Sequence, residues 1–368
     1  MNKLYAPATG GIETVVRQIS EGLKDVMQIK VLVCQDKINQ TIEECIFGVN
    51  VRRCASRWKV NSMPLSLQFL RDYKKLSKQA DIVQVHMPFP LADLAYLLAG
   101  KSKKNLVIWW HSDIVRQKRW MLFYRPLCSF FLKQAQAIIV ATKEQIDNSD
   151  ILWKYKDRCI VIPYGIKKEV LYATKSYKEE RNAHPLRVLF VGRLVYYKGC
   201  EILLEALAKT KEIILTIVGE GPLKASLQKQ TKRLHLENRV FFLGQMEDER
   251  LFQEYASCDV FVLPSVVKSE AFGLVQLEAM AFGKPVINTS LQSGVPYVSL
   301  DGKTGLTVPP KNTVALTKAL NWMKNHPQQR LAMGREAKRR IETKFREEEM
   351  LYRIKKLYEE IAIRNNKR

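Results

Sequence analysis

The chain has no apolar run long enough to cross a membrane, because its apolar stretches, such as those around 138–142 and 260–263, are short, of the length of single strands. Its first residues, MNKLYAPATGG, lack the apolar core of a secretory signal peptide. The 7 cysteines are scattered, odd in number and without a CxxC pair, which argues against a disulfide framework. We therefore expect a cytoplasmic protein whose thiols stay reduced.

Acidic residues are also scarce: 37 Asp and Glu stand against 60 Lys and Arg, for a net charge of +23. Such a charge favours polyanionic partners, namely an anionic membrane, a nucleic acid or a phosphorylated ligand. The sequence shows no zinc finger, RNP1 or helix-turn-helix pattern, and neither an Asp-x-Asp motif nor clustered metal ligands. A generally basic surface without a special partner is the other interpretation of the charge.

The size and periodicity of the chain predict two α/β domains. With 368 residues, 46% of them apolar, the chain is long enough for two packed cores. Strand-length apolar runs alternate with segments of helical period, which predicts parallel, doubly wound sheets. The predicted strands include 29–34, 46–54, 81–86, 105–111, 186–191, 213–218 and 260–263. A polar stretch without apolar period, 175–184, is the predicted linker.

The segment PSVVKSEAFGLVQLEAMAFGKP follows a predicted strand and reads as a loop and then a helix. That order places Glu270 at the carboxyl edge of a sheet. It also puts Gly273 and the amides of Leu274 and Val275 at a helix N-terminus, where partial positive charge suits a phosphate. Glu278 lies about one turn further along, where its carboxylate can accept hydrogen bonds from a diol such as ribose. Two ordinary glutamates in a βα unit are the alternative.

Three other places in the chain could meet a ligand. Arg193 and Lys198 flank a loop between a strand and a helix, where two cations can grip a diphosphate or be ordinary surface charges. The glycine pair that ends at Gly11 opens a helix and allows close approach to an anion. His86 and His111 end neighbouring strands, where ligands bind in doubly wound sheets, although a single histidine there is more often structural.

The spacing Glu270-x7-Glu278, the run GRLVYYKG and the opening GGIE resemble motifs of the retaining glycosyltransferases of family GT4, over about residues 4–362. The resemblance implies the GT-B fold, in which two Rossmann-like doubly wound domains face each other across a cleft. Residues 1–170 would form the acceptor-side domain and residues 171–346 the nucleotide-sugar domain. The last helix, 347–368, would pack back on the first domain.

The same resemblance implies transfer of a sugar from a UDP- or GDP-linked donor, with retention of configuration and with no metal or cofactor. Arg193 and Lys198 would neutralise the leaving diphosphate, Glu270 would orient the donor sugar, and the neutral ring of His111 would hold a sugar hydroxyl without acting as a base. The residues expected to bind the nucleotide-sugar are Gly11, Arg193, Lys198, Phe272, Gly273, Leu274, Val275 and Glu278.

The acceptor is expected to be a saccharide or a lipid-linked saccharide, in the synthesis of a cell-surface polysaccharide or glycolipid. Residues 116–133 mix cations with aromatic side chains, and Lys101, Lys103 and Lys104 lie nearby in the sequence. This composition suits either an interfacial patch on the inner face of the cell membrane, with an anionic surface as partner, or a core with a wet basic side.

Two other function classes stay open from the sequence. One is another GT-B enzyme, such as a sucrose- or trehalose-forming transferase. The other is a non-catalytic anion or nucleic-acid binder, against which the intact set of Arg193, Lys198, Glu270 and Glu278 argues, so no nucleic-acid partner is expected.

The opening of the chain is unusual for the family, because only residues 1–5 precede the first polar loop where a central strand is expected. We expect the natural protein to begin some residues upstream. The alternative is that residues 1–5 form a stub strand.

Overall fold

The computed structural model describes residues 1–8, 10–35, 40–56, 58–60, 63–99, 105–113, 118–177 and 185–366, with only the backbone described for 58–60, 63, 118–123 and 365–366. The chain divides into two compact units: Met1–Tyr164 with Glu347–Arg368, and Gly165–Arg346. The division after Tyr164 lies a few residues before the predicted boundary at 170. Most of the predicted linker, 178–184, lies outside the described residues.

The first unit begins with a helix and then alternates strands and helices. Its elements are α1 (Gly11–Leu23), β1 (Lys30–Cys34), β2 (Ile42–Ile46), β3 (Val49–Cys54), β4 (Trp58–Val60), β5 (Met63–Leu65), α2 (Leu67–Ser77), β6 (Ile82–Met87), α3 (Pro90–Leu98), β7 (Asn105–Trp110), α4 (Lys118–Gln134), β8 (Ala137–Val140), α5 (Lys143–Asp147) and β9 (Cys159–Val161).

The second unit repeats the strand–helix alternation and ends with two longer helices. Its elements are α6 (Lys168–Ala173), β10 (Leu186–Val191), α7 (Cys200–Ala208), β11 (Ile213–Val218), α8 (Lys224–Arg233), β12 (Val240–Gly244), α9 (Asp248–Ser257), β13 (Val260–Val262), α10 (Leu274–Ala281), β14 (Val286–Thr289), α11 (Val295–Val298), β15 (Gly305–Val308), α12 (Thr313–Asn325) and α13 (Pro327–Lys344). The final helix, α14 (Glu347–Asn366), belongs to the first unit.

The strands of the first unit form a parallel four-stranded sheet, β6-β7-β8-β9, a mixed sheet, β1-β3-β2, and the antiparallel pair β4-β5. Strand β7 is buried along its whole length, as expected for an inner strand of a parallel sheet covered on both faces. The strand predicted over 46–54 is present only from Val49 to Cys54, and the prediction of its start is wrong. Phe47 and Gly48 have φ angles of 49° and 82° and turn the chain between β2 and β3, which pair antiparallel.

The first five residues lie between β1 and β6 as an extended stub. The backbone N–H of Asn2 donates to the Leu32 carbonyl at 3.3 Å, and that of Cys34 donates to the Lys3 carbonyl at 3.1 Å. On the other side, the N–H of His86 donates to the Met1 carbonyl at 3.0 Å. The stub thus supplies ladder partners to two strands, although it is not itself a regular strand.

The second unit is built on one parallel sheet of order β12-β11-β10-β13-β14-β15. From β10 the chain first adds strands on one side and then, from β13, on the other, so the order reverses between β10 and β13. In doubly wound sheets, ligands bind at the carboxyl ends of the strands, in the crevice where the strand order reverses. The residues predicted to bind the donor follow β10 and β13.

The structure describes only part of the segment 116–133, which was predicted as a possible membrane-contacting patch. Arg116, Lys101, Lys103 and Lys104 lie outside the described residues, and so do the side chains of 118–123. Further along α4, Phe131 is fully buried while Phe130 is 48% exposed. Among the described residues, no helix combines the length and the apolar character needed to span a membrane.

Candidate active site

Two loops of the second unit meet at the point where the strand order reverses. The loop after β10 carries Arg193 and Lys198, and the loop after β13 carries Glu270. Gly199 allows them to touch: its φ is +71°, and a Cβ there would lie 2.1 Å from the Pro264 carbonyl oxygen. The N–H of Val266 also donates to the Tyr197 carbonyl at 2.9 Å. Residues 65 or more positions apart in the chain therefore share one edge of the sheet.

Lys198 and Glu270 form a buried ion pair, with Lys198 Nζ 2.6 Å from Glu270 Oε2 and the two side chains only 10% and 9% exposed. Burial lowers the pKa of Lys198, but the charge and hydrogen bond of Glu270 outweigh it, so the pKa is raised and the ammonium keeps its proton. The Ser265 hydroxyl donates to the same Glu270 oxygen at 3.0 Å, and the Thr289 hydroxyl donates to the Ser265 carbonyl at 2.6 Å.

The N-terminus of α10 opens beside this pair. Gly273 precedes the helix with a φ of +73°, and a Cβ there would lie 2.5 Å from the Leu263 side chain. The amides of Leu274 and Val275 are in the first turn, where an α-helix has no internal acceptors. Behind them, the Gln276 amide donates to the Phe272 carbonyl at 3.0 Å, and Asn288 donates to Gln276 Oε1 at 3.0 Å. This buried amide network holds the first turn in place.

Glu278 lies further along α10 with different partners. The Tyr255 hydroxyl donates to Glu278 Oε2 at 2.7 Å. Burial raises the pKa of Glu278, while the Tyr255 hydrogen bond and the charge of Lys167 act in the opposite direction. The carboxylate is therefore oriented through one oxygen.

Phe272 and Arg193 differ in how much of the side chain a ligand can reach. The Phe272 ring is 2% exposed and packs edge-on against Phe345 at 6.1 Å, so a ligand cannot reach much of this side chain. Arg193 is exposed, at the start of the loop that ends in Lys198.

Gly11 and His111 belong to the first unit. Gly11 is the first residue of α1 and is exposed. The Glu13 carboxylate folds back over this helix end: a Cβ on Gly10 would lie 2.3 Å from Glu13 Oε2. Burial raises the pKa of Glu13, and a hydrogen bond from its own backbone N–H lowers it. An anion at this helix start would have to displace Glu13, a residue that was not predicted from the sequence to belong to the site.

His111 follows β7 and is 4% exposed, with both ring nitrogens engaged: His111 Nε2 lies 2.8 Å from His86 Nδ1, and His111 Nδ1 lies 2.7 Å from the Tyr164 hydroxyl. Burial lowers the pKa of His111 to about 3, so the ring is neutral near pH 7.

The residues that orient these groups were not identified from the sequence. Ser265 follows Pro264 in a loop already marked as functional, so its hydroxyl was a usable signal. Tyr255, Asn288 and Tyr164 come from other elements, and their spacing in the sequence carries no sign of the contacts. Across the part of the chain that the structure describes, no three His, Cys, Asp or Glu side chains are grouped to hold a metal ion; metal independence stays a prediction.

Comparison with known proteins gives a consistent result over nearly the whole chain. The family model for glycosyltransferase family 4 matches residues 9–170, and the one for glycosyl transferases group 1 matches residues 173–340. The D-rhamnosyltransferase WbpZ of Pseudomonas aeruginosa is 36% identical over 350 residues, covering 93% of this chain and 90% of that protein. The O-antigen chain mannosyltransferase C of Escherichia coli is 32% identical over 365 residues, covering 97% and 96%.

Among solved structures, HepE of Anabaena in complex with UDP is similar, with a TM-score of 0.75 at 19% identity and 98% of each chain covered. At that identity the likeness concerns the fold, which is GT-B. The relatives from Pseudomonas and Escherichia carry the family assignment, because each exceeds 30% identity over most of both chains. The chain therefore belongs to the family 4 glycosyltransferases, with the GT-B fold and its two Rossmann-like halves.

Proposed function

We propose that this glycosyltransferase moves a hexose or deoxyhexose from a UDP- or GDP-linked donor to a saccharide or lipid-linked acceptor, with retention of configuration and without a metal. The observation that carries the proposal is the buried Lys198–Glu270 pair, at 2.6 Å beside the N-terminus of α10. It sets a cation, a carboxylate and the first-turn amides of α10 at the reversal point of the sheet. A donor that is anionic at its diphosphate and rich in hydroxyls at its sugar matches all three groups.

Lys198, Arg193 and the amides of Leu274 and Val275 are proposed to bind the diphosphate of the donor. Negative charge develops on the diphosphate as the sugar–oxygen bond breaks, and donors fixed in advance stabilise that charge without reorganising. Lys198 already holds a proton in the free protein, because Glu270 keeps its pKa raised. The phosphate would therefore replace one anionic partner of Lys198 by another.

Glu270 accepts hydrogen bonds from the donor sugar in this proposal. Its Oε2 is held by Ser265 and Lys198, and the other oxygen is the one proposed to meet the sugar. A carboxylate restrained in this way is suited to orient hydroxyls. Retention would then follow the front-face route implied by the family resemblance, in which the leaving diphosphate assists the incoming acceptor hydroxyl.

Glu278 is proposed to bind the ribose diol through the oxygen that Tyr255 does not occupy. His111, neutral because burial lowers its pKa to about 3, is proposed to hold a hydroxyl of the donor sugar. Gly11 is proposed to approach the donor through its backbone.

The acceptor is proposed to be a growing cell-surface polysaccharide or a lipid-linked saccharide. Support comes from the two relatives: the one from Pseudomonas is named a D-rhamnosyltransferase, and the one from Escherichia is named an O-antigen chain mannosyltransferase. The use of a nucleotide-sugar is supported by HepE, which was solved with UDP. A place at the inner face of the cell membrane fits an acceptor on a lipid carrier and the net charge of +23.

The test is a panel of UDP- and GDP-linked sugars in a thermal unfolding assay, followed by product analysis. A donor at a hundred times its dissociation constant stabilises the protein by about 2.7 kcal/mol. The best donor is then incubated with saccharide acceptors, with and without EDTA, and the anomeric configuration of the product is read by NMR. If none of the nucleotide-sugars raises the melting temperature, the proposed donor class is contradicted. A product of inverted configuration contradicts the proposed retention.

A further inference from the structure

A continuous chain of hydrogen-bonded side chains runs through the interior of the first unit and ends on His111 and Tyr164. It starts at Tyr358 on α14, whose hydroxyl hydrogen-bonds to Gln84 Oε1. Gln84 Nε2 lies 2.8 Å from His86 Nε2, and His86 Nδ1 lies 2.8 Å from His111 Nε2. The last link joins His111 Nδ1 to the Tyr164 hydroxyl at 2.7 Å. The five residues come from four separate stretches of the chain, so no local motif announces the arrangement.

The links of this chain are not independent, because a neutral imidazole has one N–H donor and one acceptor nitrogen. With the Tyr358 hydroxyl donating to Gln84 Oε1, the Gln84 amide N–H donates to His86 Nε2. His86 must then carry its proton on Nδ1 and donate to His111 Nε2, and His111 carries its own on Nδ1. Reversing the Gln84 amide reverses every link, so both histidines change tautomer together.

The surroundings keep both rings neutral and in one plane. Burial lowers the pKa of His111 to about 3 and that of His86 well below its usual value, with the neighbouring ring also disfavouring a charge on His86. Trp109 is nearly parallel to the rings of His86, His111 and Tyr164, with interplanar angles of 8–9°. The two imidazoles lie 5.1 Å apart at 17°. Rotation of either ring would break two hydrogen bonds in a packed interior.

We propose that Gln84, His86 and Tyr358 are positioning residues for His111: their hydrogen-bond chain sets which nitrogen of the His111 ring carries the proton. Because Nε2 of His111 is committed to His86, Nδ1 is the atom that can exchange Tyr164 for a ligand. When the Tyr358 hydroxyl donates to Gln84, every link of the hydrogen-bond chain runs in the same direction, and His111 Nδ1 is then a hydrogen-bond donor. The proposal rests on the proposed function only in the identity of that ligand, a hydroxyl of the donor sugar.

The first test reads the tautomers directly, without substrate. Selective ¹⁵N labelling of the 5 histidines, with His86→Asn and His111→Asn variants for assignment, distinguishes protonated from unprotonated ring nitrogens by NMR. We expect His86 and His111 both as Nδ1–H tautomers that do not titrate between pH 5 and 8. Opposite tautomers in the two rings, or titration of either one near its ordinary pKa of about 6.5, would overturn the proposal.

The second test perturbs the far end of the chain. Tyr358→Phe removes the hydroxyl that orients Gln84, so the His86 and His111 signals should shift toward the Nε2–H tautomer. Turnover should fall roughly fivefold to tenfold, the loss of about one hydrogen bond, with little change in the donor KM. Tyr352→Phe, on the same helix and 61% exposed in the protein, is the matched control and should change neither quantity.

Gln84→Met keeps the side-chain length and removes both amide groups, and it serves if Tyr358→Phe folds poorly. Unaltered His111 tautomer and unaltered turnover in both variants would show that the chain is only structural. Failure of the wild-type protein to use any nucleotide-sugar would contradict the proposed function, while the tautomer measurement would still decide the inference about the chain.

Discussion

Glu270→Gln is the most informative single change, because it removes one charge of the buried pair and almost no volume. In the wild-type protein Lys198 Nζ lies 2.6 Å from Glu270 Oε2, and both side chains are about nine-tenths buried. The amide of the variant can still accept a hydrogen bond from Ser265, but Lys198 loses its counter-charge. Breaking a buried pair from one side costs about 3–5 kcal/mol, and we expect the low end because one acceptor oxygen remains.

For a unit of the size of Gly165–Arg346, a loss of about 3 kcal/mol lowers the melting temperature by roughly 6–12 °C. The loss should shrink as the pH rises from 7 to 10. In the wild-type protein the pKa of Lys198 is raised, so its contribution to stability is lost only above about pH 10.4. In the variant, burial without Glu270 lowers that pKa, so stability increases with pH once Lys198 deprotonates in the folded protein.

A nucleoside diphosphate should partly replace the missing charge. UDP or GDP should therefore raise the melting temperature of the variant at least as much as that of the wild-type protein, while sugar transfer falls strongly. The assays are thermal unfolding at pH 7, 8.5 and 10 with and without nucleotide, and turnover with the best donor. Glu336→Gln breaks the exposed pair with Arg339 and is the control, which should melt as the wild-type protein does. Equal melting of Glu270→Gln and wild type at pH 7, or a difference that grows with pH, would refute the reasoning.

Three further predictions follow from other parts of the molecule. Arg193→Ala should weaken UDP or GDP binding and transfer together, by a few kcal/mol in kcat/KM; unchanged turnover would remove Arg193 from the diphosphate site. Burial raises the pKa of Asp93 to about 7, so the folded protein holds a proton that the unfolded chain releases above about pH 3.9, and Asp93 lowers stability increasingly between those values. In denaturant titrations at pH 8, the free energy of unfolding of Asp93→Asn should therefore exceed that of the wild-type protein by about 1–4 kcal/mol. The difference should be smaller at pH 5, and the opposite trend would contradict the raised pKa. Binding to anionic vesicles should weaken as salt rises, and equal affinity for neutral vesicles would count against a charged membrane surface.

Much of the fold was predictable because local signals decide it. The strands 186–191 and 213–218 were predicted with the bounds that the structure has, since each is a continuous apolar run between turn residues. The sequence was insufficient where strand bounds depend on pairing with another strand. The run 46–54 looks like one strand, and only its antiparallel pairing with β2 shows that Phe47 and Gly48 form a turn. The stub 1–5 lacks strand composition, yet its backbone bonds to β1 and β6.

The candidate site divides in the same way. By itself, the sequence determined that cations follow β10, that a carboxylate follows β13 and that a glycine opens α10, because these are facts of local order along the chain. Only the tertiary structure decided that Lys198 and Glu270 neutralise each other, since that contact requires β10 and β13 to be neighbours in the sheet. Likewise, only packing of separate elements places Tyr255 on Glu278 and commits both nitrogens of His111 to protein partners. Charge and hydrogen bonding depend on distances across the fold, and these are not encoded in the spacing of a motif.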